Sequence, residues 1–336
     1  MNVSVKNIEL SGKIFTANDE NFISLALEIF RFQYENNLVY RRYCDTLKID
    51  GSKIDSLQQI PFLPIQFFKT HRVATTEFEA EVVFESSGTT QTINSRHYVK
   101  DISLYEKSFN DAFRSFYGEP AEWCIIALLP SYLERNNSSL VMMADKLIQQ
   151  SRHPQSGFYL NEWKKLQNAL FQLEKQKQKT LLIGVTFALL DFAEQCPMQL
   201  YYTTIMETGG MKGRREEMTR QQVHEILCGS FLLKHIHSEY GMTELLSQAW
   251  SSGNGIYNCP PWMKILLREE DDPFAIHTAD ATNILSGAVN VIDLANVYSC
   301  SFIATEDAGK LHTDGSFELL GRLDNTDIRG CSLLAM

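Results

Sequence analysis

Short apolar segments that alternate with helical periodicity are the feature that most constrains the fold of this 336-residue chain. Residues 123–129 (WCIIALL) and 180–185 (TLLIGV) are apolar almost throughout. Strands without polar alternation are buried on both faces, as in a parallel sheet covered by helices. Further buried strands are predicted at 200–206 and 232–238, and helices at 103–117, 138–150, 186–195 and 215–227. The pattern indicates an α/β fold.

The two ends of the chain differ from this core. A helix is predicted to start near Glu20, and its stripe of apolar residues is expected to face the core. Residues 60–68 (IPFLPIQFF) contain two prolines among large apolar residues, which predicts an extended segment on the core. From about residue 262 short strands and turns predominate, with strands predicted at 262–267, 287–294, 300–304 and 317–320.

Composition excludes several classes of function. A formal net charge of −10 argues against nucleic acid and against broad binding to anionic membranes. Seven scattered cysteines without a CxxC pair are typical of a reducing compartment. The first residues do not resemble a signal peptide, and no apolar run approaches the roughly 20 residues of a membrane span. The sequence therefore predicts a soluble, cytoplasmic protein without a membrane span.

A polar segment after a predicted strand is the first candidate site. Ser86, Ser87, Gly88, Thr89 and Thr90 follow the apolar run 82–84. Glycine permits a close backbone approach, and the hydroxyls add donors, so such a segment suits the binding of phosphate. It is neither a Walker A loop nor a GxGxxG fingerprint, and taken alone a polar turn is the commoner structure.

Two more polar turns are expected at the carboxyl ends of parallel strands, which is where ligands bind in open α/β sheets. One is 206–210 (METGG) and the other is 238–244 (SEYGMTE). A small basic cluster, Lys69, His71 and Arg72, follows the proline-rich segment. It is either a solvated turn or a site for an anionic substrate.

The order of these motifs resembles the adenylate-forming superfamily of acyl-CoA synthetases, adenylation domains and luciferases. The motif 240–244 (YGMTE) carries the most specific similarity, supported by 86–90 (SSGTT), 305–307 (TED) and 321–324 (GRLD). Within the superfamily, the segment 60–68 and the ending 328–334 (IRGCSLL) look most like the acyl-protein synthetases of the LuxE type.

The resemblance implies doubly wound, mostly parallel sheets, as in the large N-terminal domain of the superfamily. It also implies a smaller β-rich subdomain near the C-terminus and no full C-terminal lid domain. The expected parts are an N-terminal helical and extended part at 1–83, an α/β nucleotide-binding core at 84–260, a β-rich subdomain at 261–322 and a short tail at 323–336.

The resemblance also implies roles for individual residues in binding ATP and Mg²⁺. The loop 86–90 would hold the β- and γ-phosphates, Thr243 would donate to the α-phosphate, and Glu244 would anchor Mg²⁺, a cation that prefers oxygen ligands. Asp307 would accept hydrogen bonds from the ribose hydroxyls, and Arg322 would contact ribose or phosphate. The expected base site comprises Tyr240 against the adenine, Gly209 and Gly210 beneath it, and Gly241 and Met242 within the motif.

The chain departs from the superfamily pattern at three places. Residues 91–94 (QTIN) replace the Gly, Pro and Lys that usually continue the phosphate loop, so Arg96 or His97 is a candidate for the missing positive charge. Glu306 stands where Gly is usual, in what the sequence predicts to be a turn. The lysine of the superfamily's lid domain has no counterpart.

Cys331 is the candidate acyl acceptor. In the acyl-protein synthetase family a cysteine near the C-terminus takes the acyl group as a thioester and passes it to a reductase subunit. A thiolate is a good nucleophile toward an acyl adenylate. The alternative is an unreactive cysteine near the end of the chain. Cys124, in a predicted core strand, is expected to serve packing.

The predicted function is ATP-dependent activation of a carboxylic acid, expected to be fatty, to an acyl adenylate with release of pyrophosphate. Acyl transfer to Cys331 and then to a reductase-like acceptor protein would follow. One alternative is an acid–CoA ligase, similar to phenylacetate-CoA ligases, or an acyltransferase of polysaccharide or aryl-acid metabolism. Another is a nucleotide-binding scaffold without catalysis.

Overall fold

The computed structural model describes residues 10–86, 93–129, 137–160, 162–209, 215, 218–279 and 282–323. Within these ranges the α-helices are α1 Phe22–Asn36, α2 Leu38–Thr46, α3 Phe67–Thr70, α4 Ile102–Tyr117, α5 Ser139–Ser151, α6 Trp163–Lys175, α7 Thr186–Gln195 and α8 Arg220–Phe231. The strands are β1 Leu63–Pro64, β2 Val82–Glu85, β3 Arg96–Val99, β4 Cys124–Leu128, β5 Gly157–Phe158, β6 Thr180–Val185, β7 Thr203–Thr208, β8 His237–Tyr240, β9 Ala249–Ser251, β10 Ile256–Tyr257, β11 Met263–Arg268, β12 Ile276–His277, β13 Leu285–Asp293, β14 Phe302–Leu311 and β15 Phe317–Arg322.

A mostly parallel sheet forms the centre of the molecule, in the order β5-β4-β6-β7-β8-β9 for the described residues. Strands β5 to β8 pair in parallel, and β9 is antiparallel to β8. Every residue of β4 and β6 is buried, as their continuous apolar sequences predict. The predicted α/β class is therefore confirmed, and the bounds predicted for β6 and α7 match those of the structure.

Helix α8 and strand β8 lie further along the chain than predicted. The helix begins at Arg220 because Thr219 and Gln222 form a capping box. It continues to Phe231, and Leu232 closes it in a left-handed conformation. Because residues up to 232 belong to the helix and its cap, β8 starts at His237 and not at 232. Arg215, the predicted start of the helix, instead pairs with Asp191 and Glu194.

Strand β7 begins three residues later than predicted, at Thr203. Tyr201 and Tyr202, which precede it, are exposed. Glu174 near the end of α6 accepts hydrogen bonds from the backbone N–H groups of both tyrosines and from the hydroxyl of Thr203. The carboxylate thus satisfies backbone donors that no strand partner takes at this point.

A second, largely antiparallel sheet has the order β10-β15-β14-β13-β11-β12, and β1 joins β14 in parallel. It corresponds to the predicted β-rich subdomain, but β1 and β10 come from the predicted first and second parts of the chain. The second sheet therefore contains strands from all three of these predicted parts of the chain. The boundaries at 84 and 261 stay predictions. Of the predicted tail 323–336, only Leu323 is among the described residues, and the absence of a full lid domain also stays a prediction.

The N-terminal part of the chain packs against the second sheet. Helix α1 buries its predicted stripe, which comprises Phe22, Leu25, Ala26, Ile29 and Phe32. Gln33 is also fully buried, and its amide nitrogen donates to the carbonyls of Asn296 and Val297. The predicted segment 60–68 is extended only as far as β1 at Leu63–Pro64; residues 65–66 form a turn and 67–70 form the single-turn helix α3.

The hairpin of β2 and β3 flanks residues 87–92. Strand β2 confirms the strand predicted before the polar residues 86–90, which we call the Ser/Thr/Gly segment. No helix that the structure describes is both long enough and apolar enough to cross a membrane.

Candidate active site

The motif 240–244 leaves the end of β8 and forms a turn. The N–H of Leu245 donates to the carbonyl of Met242 at 3.1 Å, which closes the turn around Thr243 and Glu244. A Cβ at position 241 would overlap with Oε1 of Glu239, so a residue other than glycine would displace that carboxylate. The turn therefore lies at the carboxyl end of the parallel sheet, where the sequence predicts a ligand site.

A buried histidine fixes the backbone of this turn. His97 on β3 has Nδ1 at 3.0 Å from the carbonyl oxygen of Thr243 and Nε2 at 2.9 Å from Oγ of Ser299. Burial lowers the pKa of His97 to about 4, so the ring is neutral at neutral pH. Because a carbonyl can only accept, Nδ1 carries the proton, and the hydroxyl of Ser299 donates to Nε2. His97 therefore orients the turn and supplies no positive charge.

Two further buried side chains fix the turn from the second sheet. The amide of Asn296 donates to the carbonyl of Glu244 at 2.8 Å. Asp293 accepts from the N–H groups of Leu246 and Ser247 at 2.8 and 2.9 Å. Burial raises the pKa of Asp293 to about 6, although these hydrogen bonds oppose the shift.

The side chain of Glu244 is 5% exposed. Burial raises its pKa, while a hydrogen bond from Ser95 and the charges of Lys69 and Arg322 oppose that shift. Among the described residues no cation lies within 4 Å of its carboxylate. Glu244 is thus a desolvated carboxylate that feels the charges of Lys69 and Arg322 without forming an ion pair with either.

Ser86, the first residue of the Ser/Thr/Gly segment, is linked to Glu244 through Ser95. The N–H of Ser86 donates to the carbonyl of Ser95 at 3.0 Å, and the N–H of Ser95 donates to Oγ of Ser86 at 2.9 Å. These two bonds hold Ser86 beside Ser95, and Ser95 also contacts Glu244. The predicted phosphate-binding residues Ser87, Gly88, Thr89 and Thr90 lie outside the described residues.

Asp307 lies opposite Tyr240, between the two sheets. The Tyr240 hydroxyl donates to Oδ2 of Asp307 at 2.8 Å, and Nε of Arg322 is 3.8 Å from Oδ1. Burial raises the pKa of Asp307, and the hydroxyl of Tyr240 and the charge of Arg322 oppose the shift. The Arg322 side chain is 71% exposed, so its charge is accessible to a ligand.

The prediction of a turn at residues 305–307 is wrong. All three residues lie within β14, where Asp307 is the pairing partner of Arg322 on β15. Successive residues of a strand point to opposite faces, so Glu306 and Asp307 have different hydrogen-bond partners, although both lie within 4 Å of Arg322. Glu306, which replaces the usual glycine, accepts a hydrogen bond from the amide of Gln66.

Tyr240 is largely buried, and its ring packs against Tyr257 and Phe317 at centroid distances of 6.1 and 5.7 Å. Its predicted contact with adenine stays a prediction. Gly209 follows β7 with φ of +76° and accepts a hydrogen bond from the Thr186 hydroxyl. Gly210 lies outside the described residues.

Two acidic residues at the same edge of the sheet lie in the predicted polar turns, but the sequence analysis gave neither of them a role. Glu207 accepts a hydrogen bond from the hydroxyl of Thr186, and Glu239 accepts one from the hydroxyl of Thr208. Burial raises the pKa of Glu239 to about 7, and the charge of Glu207 contributes in the same direction. Their signal in the sequence was their position in the turns 206–210 and 238–244, at the carboxyl ends of two strands.

The structure brings together Ser86, Thr243, Glu244, Asp307 and Arg322, which are far apart in the sequence. Lys69 of the basic cluster belongs with them, whereas Arg72 packs on the ring of Tyr98.

Cys331 lies outside the described residues. Cys124 is fully buried in β4, and burial raises the pKa of its thiol to about 11, as expected of a packing residue.

No group of three or more metal-binding side chains is present in the described ranges. Mg²⁺ usually keeps several waters and is held by one or two carboxylates together with substrate phosphates. Glu244 fits that role because it is a hard, desolvated oxygen ligand without a cation of its own.

The chain is similar to known acyl-protein synthetases. The family model described as "Acyl-protein synthetase, LuxE" matches residues 9–116. A long-chain-fatty-acid–luciferin-component ligase of Vibrio harveyi is 23% identical over 332 residues, which cover 90% of this chain and 84% of the relative. One of the same name from Photorhabdus luminescens is 41% identical over 66 residues, 19% of this chain and 56% of the relative. The resemblance to the acyl-protein synthetases is confirmed.

The same family model and relatives confirm the expected enzyme class, a ligase. Among solved structures, a 2-hydroxyisobutyryl-CoA ligase in complex with an acyl adenylate has a TM-score of 0.59 at 11% identity, over 95% of this chain and 72% of that chain. ATP-bound MatB from Rhodopseudomonas palustris has a TM-score of 0.52 at 15% identity, over 73% of this chain. This chain spans about half the length of the MatB structure (49%). These likenesses show that the chain has the fold of adenylate-forming enzymes.

Proposed function

We propose that this protein activates an apolar carboxylic acid with ATP, forming an acyl adenylate, and that the thiol of Cys331 then accepts the acyl group. One observation supports this most: Glu244, Ser86 at the start of the Ser/Thr/Gly segment and the pair of Asp307 and Arg322 meet at the carboxyl end of the parallel sheet. In this proposal Glu244 offers an oxygen ligand for a metal, Ser86 and Thr243 offer donors for phosphate, and Asp307 offers a carboxylate for ribose.

In the first step an oxygen of the acid attacks the α-phosphorus of ATP. A bond forms between that oxygen and phosphorus, the bond from phosphorus to the bridging oxygen of the β-phosphate breaks, and pyrophosphate leaves with the electron pair. Both reactants are anions, so catalysis depends on positioning and on positive charge. Thr243 donates to the α-phosphate, the residues 86–90 hold the β- and γ-phosphates, and Arg322 and Lys69 supply charge.

Glu244 holds Mg²⁺ in this proposal. When bound, the metal neutralises charge on the phosphate oxygens. His97 and Asn296 act through the backbone, because they fix the carbonyls on either side of the Glu244 peptide. Asp307 accepts hydrogen bonds from the ribose hydroxyls, with the Tyr240 hydroxyl fixing the orientation of its carboxylate. Tyr240, Gly209 and Gly210 border the space for the adenine.

In the second step the sulfur of Cys331 attacks the carbonyl carbon of the adenylate. A carbon–sulfur bond forms, the bond from carbon to the phosphate oxygen breaks, AMP leaves, and the thiol proton passes to solvent. Leu323, the last described residue, is eight positions before Cys331. Eight residues span at most roughly 29 Å, so the thiol can reach the site. The acyl group then passes to an acceptor protein.

Both relatives are named long-chain-fatty-acid–luciferin-component ligases, which supports a fatty acid as substrate and a further component as acceptor. The reductase-like nature of that acceptor rests on the family resemblance. We also propose that helices cover both faces of the parallel sheet. Strand β5 lies on one side of β4 while β6, β7 and β8 follow on the other, and right-handed crossovers place helices on opposite faces when the direction reverses.

Trapping of the acyl group tests the function. Purified protein is incubated with ATP, Mg²⁺ and saturated acids, pyrophosphate release is followed, and intact mass is measured. We expect an acyl adduct that hydroxylamine removes and that the Cys331→Ser variant does not form. Cys228→Ser, which changes a half-buried cysteine on α8, is the matched control and should form the adduct.

Other outcomes point to other functions. Pyrophosphate release without an adduct, accelerated by coenzyme A, would make the protein an acid–CoA ligase. Binding of ATP without pyrophosphate release for any acid would leave a nucleotide-binding scaffold and refute the proposed function.

A further inference from the structure

A large cavity lies next to the candidate active site and is not used by the roles above. Its volume is about 820 Å³. One wall comes from the N-terminal segment 43–66 and the other from β12, β13 and β14. Arg322 and Glu306 line its edge, so the cavity adjoins the pair of Asp307 and Arg322.

Much of the cavity wall is apolar. Tyr43, Ile54, Phe62, Phe274 and Ile276 line it. Ile276 is half-buried and Phe274 is 54% exposed, although both are large apolar side chains. A concave, apolar surface with few polar groups is the usual form of a site for a small molecule.

One charged residue in the wall has unused hydrogen-bonding capacity. Arg268 donates through Nη1 to the carbonyl of Val289 and the side chain of Asn290, and through Nη2 to the carbonyl of Thr305. A guanidinium has five N–H donors, so two of them lack an acceptor among the described residues. No described carboxylate lies within 4 Å of it. Burial lowers the pKa of Arg268, which shows that its charge is partly desolvated.

The charge of Asp307 acts to raise the pKa of Arg268, but Asp307 is engaged by Tyr240 and Arg322 and forms no ion pair with Arg268. Glu270 and Asp271 are exposed at the rim. Glu306 accepts from Gln66 and lies 3.9 Å from Arg322. A desolvated guanidinium with free donors in an apolar wall matches an anionic headgroup attached to an apolar chain.

We propose that this cavity is the binding site for the acid substrate, with the chain against the apolar wall and the carboxylate at Arg268, on the side of Arg322. That the bound acid is a substrate rests on the proposed function. The proposal places the carboxylate close to the nucleotide residues, because the Thr305 carbonyl that binds Arg268 is two residues from Asp307.

Binding of acids without ATP tests the site directly. The full chain is titrated with cis-parinaric acid, a fluorescent fatty acid, and saturated acids of 8 to 18 carbons displace it. Arg268→Gln should weaken binding of acids of every length by about tenfold or more, because a charge-assisted hydrogen bond is lost. Ile276→Trp should fill the cavity and shift the preferred length to shorter acids. Arg41→Gln and Ile256→Trp, which change exposed residues outside the cavity, should bind as the unmodified protein does.

A measurement on the unmodified protein guards against variants that fail to fold. A fatty acid with a photoreactive diazirine on its chain should label peptides within 43–66 and 268–276. Labelling elsewhere, or unchanged length preference and affinity in both folded variants, would overturn the proposal even if acids support pyrophosphate release. Labelling in the cavity without pyrophosphate release for any acid would instead keep the site and refute the proposed function.

Discussion

Glu244 is a carboxylate that the fold removes from water while keeping Lys69 and Arg322 at a distance. A buried charge without a partner is unfavourable, and a protein that retains one gains stability when a cation binds. Glu244 therefore links two properties that can be measured separately, the stability of the protein without ligands and its response to Mg²⁺.

Replacement of Glu244 by Gln separates these properties. Acid-dependent pyrophosphate release should fall by about 100-fold or more, because the carboxylate ligand for Mg²⁺ is lost. The free energy of unfolding without ligands should stay equal or rise, since a neutral amide is less costly to bury. Glu225→Gln, on the exposed side of α8, is the control. A variant that loses activity only because it unfolds would contradict the assignment.

His97 makes the stability of the site depend on pH. Its pKa is about 4 in the folded chain, against an ordinary value of 6.5 that applies to the unfolded chain. Below pH 6.5 the unfolded chain therefore binds more protons than the folded chain. Stability from neutral His97 is therefore complete above pH 6.5 and is lost as the pH falls toward 4. The difference in free energy of unfolding between the unmodified protein and His97→Gln should shrink over this range, by up to about 3 kcal/mol.

Denaturant unfolding at pH 4.5, 5.5, 6.5 and 7.5 measures this difference. The carboxylates titrate in both proteins and cancel in the comparison. Parallel pH profiles for the two proteins would show that His97 is not buried in the neutral form.

At the scale of elements, strand β1 attaches the N-terminal segment to the second sheet. Leu63 and Pro64 pair with Ile303 and Ala304, and the N–H of Ile65 donates to the carbonyl of Ala304 at 2.9 Å. Proline lacks a donor and is found in strands that pair on one side only. Most of the attachment must therefore come from burial of side chains.

The Leu63→Ala variant measures the contribution of this attachment. Leu63 is fully buried, so its truncation should lower the free energy of unfolding by about 2–5 kcal/mol. Leu38→Ala serves as a control because Leu38 is 62% exposed at the start of α2. A loss no larger than that of the control in denaturant unfolding would mean that β1 is not anchored by packing.

Elements with a continuous apolar sequence could be predicted from the chain alone, because their burial pattern is local. Strand β6 and helix α7 are examples. Strand β8 was misplaced because the end of α8 depends on Leu232 adopting a left-handed conformation, which a leucine in an apolar run does not signal. Strand β1 was predicted only as an extended segment, since its partner lies 240 residues further along the chain.

The motif residues of the site were predictable, but the residues that hold them were not. Thr243, Glu244 and Asp307 stand in motifs that resemble a known superfamily. His97 contacts residues 146 and 202 positions away, and Asp293 contacts Leu246 across 47 positions. Such partners are set by tertiary packing, and periodicity carries no information about them.

At the scale of the molecule, the candidate active site joins the two large sheets. The Tyr240 hydroxyl and the carboxylate of Asp307 connect β8 of the parallel sheet with β14 of the second sheet. Addition of ATP with Mg²⁺ should therefore slow amide hydrogen exchange in 240–247 and in 305–311 together. Protection confined to one of these segments, measured by mass spectrometry, would contradict a nucleotide site shared by both sheets.

The buried amide of Gln33 has a consequence for the order in which the protein is made. The acceptors of Gln33 lie 263 and 264 residues further along the chain, and its carbonyl oxygen accepts from the N–H of Ser301, 268 residues away. A nascent chain on the ribosome exposes α1 long before these partners emerge. Burial of the amide without them would leave unpaired donors and acceptors. Helix α1 therefore cannot pack in its final position until the last quarter of the protein has been translated.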